Sequence, residues 1–255
     1  MTSLYDPRRF RASLGQGRRF SARAKADASG GELYLYDVIG GDFFGGISSR
    51  DVQASLASMG AVRQLDVYLN SPGGDVFEGI AIGNLLARFP APVTIHVDGL
   101  AASIASVIAM AGKRIAMAPN AMMMIHDPWA VSMGGADEMR KMADTLDQVA
   151  ATLGQTYATR TRQTPEAVRA WMAAETWMDS ATAVERGFAD CIEPDGDEMG
   201  APDEEEAPAA PRQRAAAVAS KIAALEERAV TMRRASPPRT AGQPAIHRAA
   251  PTRTR

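Results

Sequence analysis

Three residue types that together perform acyl transfer occur in this chain, each beside a predicted strand or helix. Ser103 lies in a run of small residues at 99–106 that follows an apolar, β-rich run. His126 ends the apolar run at 122–125, and the acids Glu175 and Asp179 come later in the chain. A serine becomes a nucleophile when a histidine takes its proton and a carboxylate stabilises the imidazolium that forms. The set indicates a serine hydrolase, provided that the fold brings the three groups together.

Two turns offer backbone amides for the oxyanion of such a reaction. Gly73 and Gly74, in Asn-Ser-Pro-Gly-Gly at 70–74, have no side chain between their N–H groups and a ligand. Ile104 follows Ser103 near the start of a predicted helix, where the helix dipole favours negative charge. Taken singly, the glycine pair also fits an ordinary turn and Ser103 a closely packed helix.

The choice of acid and base has alternatives. Asp179 can cap a short helix, whereas Glu175 has no such explanation. We therefore expect Glu175 to be the acid, with Asp179 as the second choice. A serine–lysine dyad with Lys113 or Lys141 as the base is the other arrangement, and its activity would survive replacement of His126.

Strands and helices alternate between about residues 31 and 193. The predicted strands are 31–40, 64–70, 91–97, 114–118 and 121–126. The predicted helices are 48–59, 75–89, 101–111, a long one from about 136, and 164–174. This alternation predicts an α/β fold with a largely parallel sheet. His96 falls inside a strand, where a buried, hydrogen-bonded imidazole is typical.

Composition excludes several function classes. Lys and Arg number 28 against 30 Asp and Glu, a net charge of −2, so the whole chain does not attract nucleic acid or an anionic membrane. The single cysteine, Cys191, excludes an intrachain disulfide. The longest apolar run, 99–112, is shorter than the roughly 20 residues that cross a bilayer. We expect a cytoplasmic protein without a metal or cofactor.

The charge is distributed unevenly and divides the chain into three parts. Residues 1–30 are predicted to be a basic, flexible arm, and 31–193 the folded domain. Residues 194–255 form a low-complexity tail that is first acidic and then rich in Ala, Arg and Pro. Within the tail, 215–234 has helix-forming residues at helical spacing.

Four motifs in order resemble the Clp protease proteolytic subunit, over about residues 33–192. They are NSPGG (70–74), GLAASIAS (99–106), MIHDP (124–128) and ETWMDSATAVERGFAD (175–190). The resemblance implies the fold of Clp peptidases and crotonase-like enzymes, with stacked β-β-α units.

The resemblance also implies roles for individual residues. Ser103 matches the nucleophile, His126 the base, and the amides of Gly74 and Ile104 the oxyanion donors, while Gly73 and Pro128 lie at matching substrate-binding positions. Glu175 stands where the family usually has aspartate, and Asp179 where it has serine.

By the same resemblance, the chain is expected to hydrolyse peptide bonds of protein or peptide substrates through an acyl-enzyme. It is also expected to form rings of seven subunits, single or stacked in pairs. The two terminal segments resemble those of phage and prophage enzymes that cleave scaffold and capsid proteins during head maturation. The alternatives are an ATP-dependent peptidase subunit that works with an unfoldase, a catalytically silent structural homologue, and a crotonase-like acyl-CoA enzyme.

Overall fold

A computed structural model describes residues 20–25, 29–40 and 46–193, all within one unit of the chain, residues 1–204. The strands are β1 (Phe20–Ala24), β2 (Gly31–Leu35), β3 (Leu65–Ser71), β4 (Val93–Ala102), β5 (Arg114–Met117), β6 (Met122–Ile125), β7 (Thr176–Asp179) and β8 (Cys191–Ile192). The helices are α1 (Ser49–Met59), α2 (Val76–Ala87), α3 (Ile104–Ala109), α4 (Ala136–Thr161), α5 (Pro165–Ala173) and α6 (Ser180–Glu185). The first 19 residues and the tail from 194, with the helix predicted at 215–234, lie outside the described residues.

The strands form one largely parallel sheet that divides at β4. Its main order is β1-β2-β3-β4-β5-β8, in which only β1 and β2 pair antiparallel. The ten-residue β4 pairs with β5 along its first half and with β6 along its last three residues. β6 then pairs antiparallel with β7. The α/β fold with a largely parallel sheet is confirmed, and its two branches separate within β4, between Val97 and Leu100.

One face of the sheet packs on helices to form the core. Along β3, and along β4 as far as Val97, every second side chain is buried, which is the period of a strand with one covered face. α1 and α2 each bury an apolar stripe, and all six residues of α3 are buried. Gly79 lets α2 approach α3 closely, because a Cβ at this position would lie 2.2 Å from the side chain of Ile104 in α3.

The other face of the sheet carries stacked rings. Tyr34, Tyr68 and His96, on adjacent strands, stack with ring centroids 4.6 and 4.8 Å apart. His96 Nδ1 contacts Glu193 and its Nε2 lies 3.2 Å from an oxygen of Asp66. Burial lowers the pKa of His96, but the two carboxylates outweigh it, so the pKa is raised. His96 is therefore a satisfied structural histidine, as its position within a strand predicts.

Residues 20–24 differ from the flexible arm that the basic composition predicts. They form β1, whose side chains Phe20 and Ala22 pack against the core. Arg23 Nε donates to Glu32 at 2.7 Å. Alternating apolar side chains and an ion pair hold this strand on the sheet, and both signals are local, whereas the prediction rested on the charge of the whole segment.

The first half of α4 extends beyond the core. Residues 136–149 are exposed or only partly buried, and burial along the helix begins at Ala150. Met139, Met142 and Leu146 follow helical spacing on this half. The described residues therefore leave an apolar stripe of α4 uncovered. Among the described helices, none has both the length and the apolar character that a membrane span requires.

Candidate active site

Ser103 occupies a sharp turn between β4 and α3. Its φ of 55° and ψ of −131° lie outside the ordinary regions for a residue with a side chain. The sequence predicts a helix from Ala101 with Ser103 in its first turn. That prediction is wrong at its start, because β4 continues to Ala102 by pairing with β6, and α3 begins only at Ile104. A strained strand-to-helix turn of this kind presents a side chain at the end of a sheet.

The backbone of Ser103 is held on both sides. Its amide donates to the Met124 carbonyl of β6 at 2.9 Å. Its carbonyl accepts from the amide of Ser106 at 2.9 Å and from the Ser106 hydroxyl at 2.6 Å. Ser106 Oγ also lies 2.7 Å from the buried hydroxyl of Tyr157. Ser106 is therefore committed to a buried network, while the hydroxyl of Ser103 points toward another group.

That group is His126, which follows β6. Its Nε2 lies 2.7 Å from Ser103 Oγ, within the range expected of a base and the nucleophile it activates. Burial lowers the pKa of His126, and the charges of Glu175 and Asp127 oppose this effect only in part. The imidazole is therefore mainly neutral at pH 7, the state that can accept a proton.

The pairing of β6 with β7 brings Glu175 beside His126. Ile125 pairs with Thr176, so the next antiparallel pair beyond the strands is His126 with Glu175. The amides of Asp127 and Glu175 both donate to the Met172 carbonyl, at 3.2 and 3.1 Å. Glu175 itself has a φ of 49°. Its exposed carboxylate accepts from the indole N–H of Trp177 at 3.4 Å.

Asp179 lies at the other end of β7. It pairs with Met122, the first residue of β6, whereas His126 follows the last. Its side chain caps α6 by accepting from the amide of Thr182 at 2.8 Å. Hydrogen bonds from Thr182 lower the pKa of Asp179. The geometry therefore favours Glu175 over Asp179 as the carboxylate that acts on His126.

The Gly73-Gly74 turn packs directly on the turn of Ser103. Ile39 donates to the Gly73 carbonyl and accepts from the Asp75 amide, both at 2.8 Å. In a parallel bridge of this kind the N–H of the residue in between, Gly74, points away from the partner. A Cβ on Gly73 would lie 2.7 Å from the Ala102 carbonyl and 3.1 Å from the Ile104 nitrogen. The two turns thus lie in contact.

Pro128, two residues after His126, is half-buried.

The geometry does not support Lys113 as the base. Its amide donates to the carbonyl of Val93, the first residue of β4, so it lies at the opposite end of a ten-residue strand from Ser103, about 30 Å away. Its side chain lines an open cavity of about 940 Å³ that includes neither Ser103 nor His126. Lys141 is exposed on the projecting half of α4.

Within the described ranges, no three or more His, Cys, Asp or Glu side chains are grouped as a metal site.

Sequence reasoning missed two features that position the site. β7 was not predicted, although Thr-Trp-Met-Asp at 176–179 has β-forming residues. The contact between Arg169 and Asp127, at 2.7 Å, was also missed. These residues are 42 positions apart in the chain, so no local pattern could have connected them.

Comparison with known proteins gives consistent similarities. The Clp protease family model matches residues 49–195. The ATP-dependent Clp protease proteolytic subunit of Leuconostoc citreum is 31% identical over 141 residues, covering 54% of this chain and 70% of that protein. The subunit of the same name from Streptococcus pneumoniae is 35% identical over 142 residues, covering 54% of this chain and 72% of that protein.

Proposed function

Since this chain belongs to the Clp protease family, we propose that it is a serine endopeptidase that cleaves peptide bonds through an acyl-enzyme. The observation that carries the proposal is the 2.7 Å contact between Ser103 Oγ and His126 Nε2 at a strained strand-to-helix turn. Ser103 is the nucleophile and His126 the general base. Glu175 is the acid that stabilises the imidazolium.

The reaction follows from these positions. As Ser103 Oγ bonds to the carbonyl carbon of the substrate, its proton passes to His126 Nε2, and the carbonyl electron pair moves onto the oxygen. The amides of Gly74 and Ile104 donate to that oxyanion. When the carbon–nitrogen bond breaks, His126 returns the proton to the departing amine. Water, activated by the same histidine, then releases the acid product and regenerates the hydroxyl of Ser103.

A fluorophosphonate probe, which reacts with activated serines, tests the proposal on the full chain. We expect one adduct per subunit, located on Ser103 by mass spectrometry, and its loss in Ser103→Ala and His126→Ala. The matched control is Ser106→Ala, three residues away, which should keep the adduct. A folded wild-type protein that stays unlabelled, or one labelled on Ser106 instead, would contradict the proposal. Labelling that survives in His126→Ala would point to a lysine base.

For the substrates, we propose scaffold and capsid proteins trimmed during phage head assembly. Supporting this role, long segments with unusual composition lie outside the family match at 49–195, one basic and the other acidic and then Ala/Arg/Pro-rich. Co-expression with the neighbouring capsid and scaffold genes should give trimmed products with wild-type protein and untrimmed ones with Ser103→Ala. Identical products from both would remove this role and leave the peptidase intact.

A second candidate role is an ATP-dependent peptidase subunit, which is what the names of the relatives say of those proteins. The two roles differ in their need for nucleotide, because trimming of an accessible scaffold segment needs no unfolding. Degradation of a folded substrate that requires both ATP and an unfoldase would favour the second role. In either role the protein would act in the cytoplasm.

We also propose that subunits associate into rings, with the domain at 31–193 as the ring-forming part. The exposed apolar stripe on the projecting half of α4 supports this proposal, since such a surface is covered when it contacts a second subunit. Enclosing the active sites would restrict a broad peptidase to substrates that enter the ring.

A further inference from the structure

Two carboxylates act on the charge of His126, but only one of them at a time can pair with the imidazole. Glu175 faces it from the β7 side and Asp127 is its neighbour in the chain, and the charge of each raises the pKa of the imidazole. The α3 side contributes the uncharged hydroxyl of Ser103. An imidazole between two acids can pair with either of them. Pairing with Asp127 would turn the ring of His126 away from Ser103.

Arg169, on α5, contacts one of these acids and not the other in any described bond. Its Nη1 donates to Asp127 Oδ1 at 2.7 Å, and both side chains are about two-fifths exposed. The glutamate accepts only a long bond from the neutral indole of Trp177, at 3.4 Å. In the described contacts, one acid is therefore paired with a cation and the other is not.

The same helix, α5, holds the backbone of the residue that follows His126 and of the residue that lies opposite it. The Met172 carbonyl, one turn after Arg169, accepts from the amides of Asp127 and Glu175 at 3.2 and 3.1 Å. α5 thus holds the two loops that carry the competing acids at a set spacing. The guanidinium is then in place to bind one carboxylate.

We propose that Arg169 is a positioning residue that holds Asp127 away from His126, so that Glu175 is the carboxylate that serves the imidazole. This inference rests on the proposed peptidase function. Arg169 does not touch the reacting atoms. It acts through Asp127, by pairing with that carboxylate and fixing the direction of the side chain.

Loss of the cation has a predictable sign. Without Arg169, the carboxylate of Asp127 is free to turn toward the imidazole, so its negative charge stabilises the protonated form more strongly. The pKa of His126 then rises, and fewer molecules hold the neutral base at a given pH. For unit charges several ångströms apart near a protein surface, the expected shift is about half a pH unit.

The test measures the rate of fluorophosphonate labelling at Ser103 against pH, in the full-length protein. In Arg169→Met the rising limb of the curve should move to higher pH by about half a unit, which lowers the rate about threefold on that limb. Asp127→Asn should move the limb to lower pH, because it removes the competing charge at its source. In the double variant, Arg169→Met should cause no further upward shift.

The matched control is Arg140→Met. Arg140 also donates to an aspartate at 2.7 Å, Asp137, but on the exposed half of α4. Its curve should overlay the wild type. A purely structural role for Arg169 would lower thermal stability and leave the limb in place.

Three outcomes would overturn the inference: no shift in Arg169→Met beyond that of Arg140→Met, the same shift in the Asp127→Asn background, or an unmoved limb in Asp127→Asn alone. The last can be measured even if Arg169→Met fails to fold. Wild-type protein without labelling at any pH would instead overturn the proposed function itself.

Discussion

Among the acids of the described residues, Glu175 is the one whose φ lies in the left-handed region. Its amide is bonded to the Met172 carbonyl, and its φ of 49° places it just outside β7, opposite His126. The acid is nevertheless exposed. Water therefore screens its charge, so in the proposed mechanism Glu175 would have to approach the imidazolium closely to stabilise it.

Replacing Glu175 by Gln should slow labelling of Ser103 by about 10²-fold, because a neutral amide does not stabilise the imidazolium. The comparison variant is Asp179→Ala. It loses the cap of α6 and should lower the free energy of unfolding slightly while labelling continues. Labelling kinetics and thermal denaturation measure the two effects. The reverse pattern, with labelling lost in Asp179→Ala, would make Asp179 the acid.

At this scale the sequence carries the residue types but little of their geometry. Ser103 and His126 are identifiable because each follows an apolar run and because small residues surround the serine. The turn at Ser103 is not, since its φ arises from the pairing of β4 with β6, a contact between distant residues. The sequence already favours Glu175 over Asp179, because Asp179 can cap a helix, and the register of β6 with β7 adds that Glu175 lies opposite His126.

Two strand-to-helix turns in contact position the site at the scale of elements. The β3–α2 turn carries Gly73 and Gly74, and the β4–α3 turn carries Ser103 and Ile104. β3 and β4 are adjacent and parallel, so their carboxyl ends meet at the same edge of the sheet. Strands β2 to β6 and most helices are predictable from apolar periodicity, whereas the short strands β1, β7 and β8 are not. The start of α3 is not predictable either, because small residues fit both states.

Gly73→Ala should disable the site. The added Cβ would lie 2.7 Å from the Ala102 carbonyl and 3.1 Å from the Ile104 nitrogen, and the φ of 88° disfavours a side chain. We expect labelling to fall at least about 10²-fold as oxyanion donation is lost. A labelling rate equal to that of the wild type would show that the turn does not border the reacting atoms.

The control for that variant is Gly83→Ala, in the interior of α2. A Cβ there meets nothing closer than 3.9 Å. The variant should label normally, and its free energy of unfolding should rise by about 0.5–1 kcal/mol, since alanine favours a helix. Thermal denaturation of both variants separates a general effect of adding a methyl group from an effect on the site.

At the scale of the whole molecule, the first half of α4, residues 136–149, differs from the rest of the described domain in how much it contributes to the core. The rest of the domain holds the sheet, the core and the site, whereas residues 136–149 contribute little to the core. A helix half with an apolar stripe and few contacts is not stabilised by its own fold. We therefore expect contact with a second subunit to cover the apolar stripe and stabilise this half of α4.

Leu146→Glu tests that expectation. A charge at this position of the stripe should break the larger assemblies into smaller ones, because a buried, unpaired carboxylate is costly to desolvate. Native mass spectrometry measures the subunit number. Gln148→Glu, which adds the same charge to an exposed position off the stripe, should leave the number unchanged. Equal behaviour of the two variants would remove the stripe from the interface.

The two outer strands of the main strand order, β1 and β8, have features that discourage pairing with strands of other chains. β1, at one edge, is five residues long and carries Arg23, and β8, at the other, is two residues long and precedes Glu193 and Pro194. Long, flat, apolar edges recruit strands from other chains, while short and charged ones, or a proline without an N–H, do not. These two edges are thus poorly suited to recruit strands from other chains.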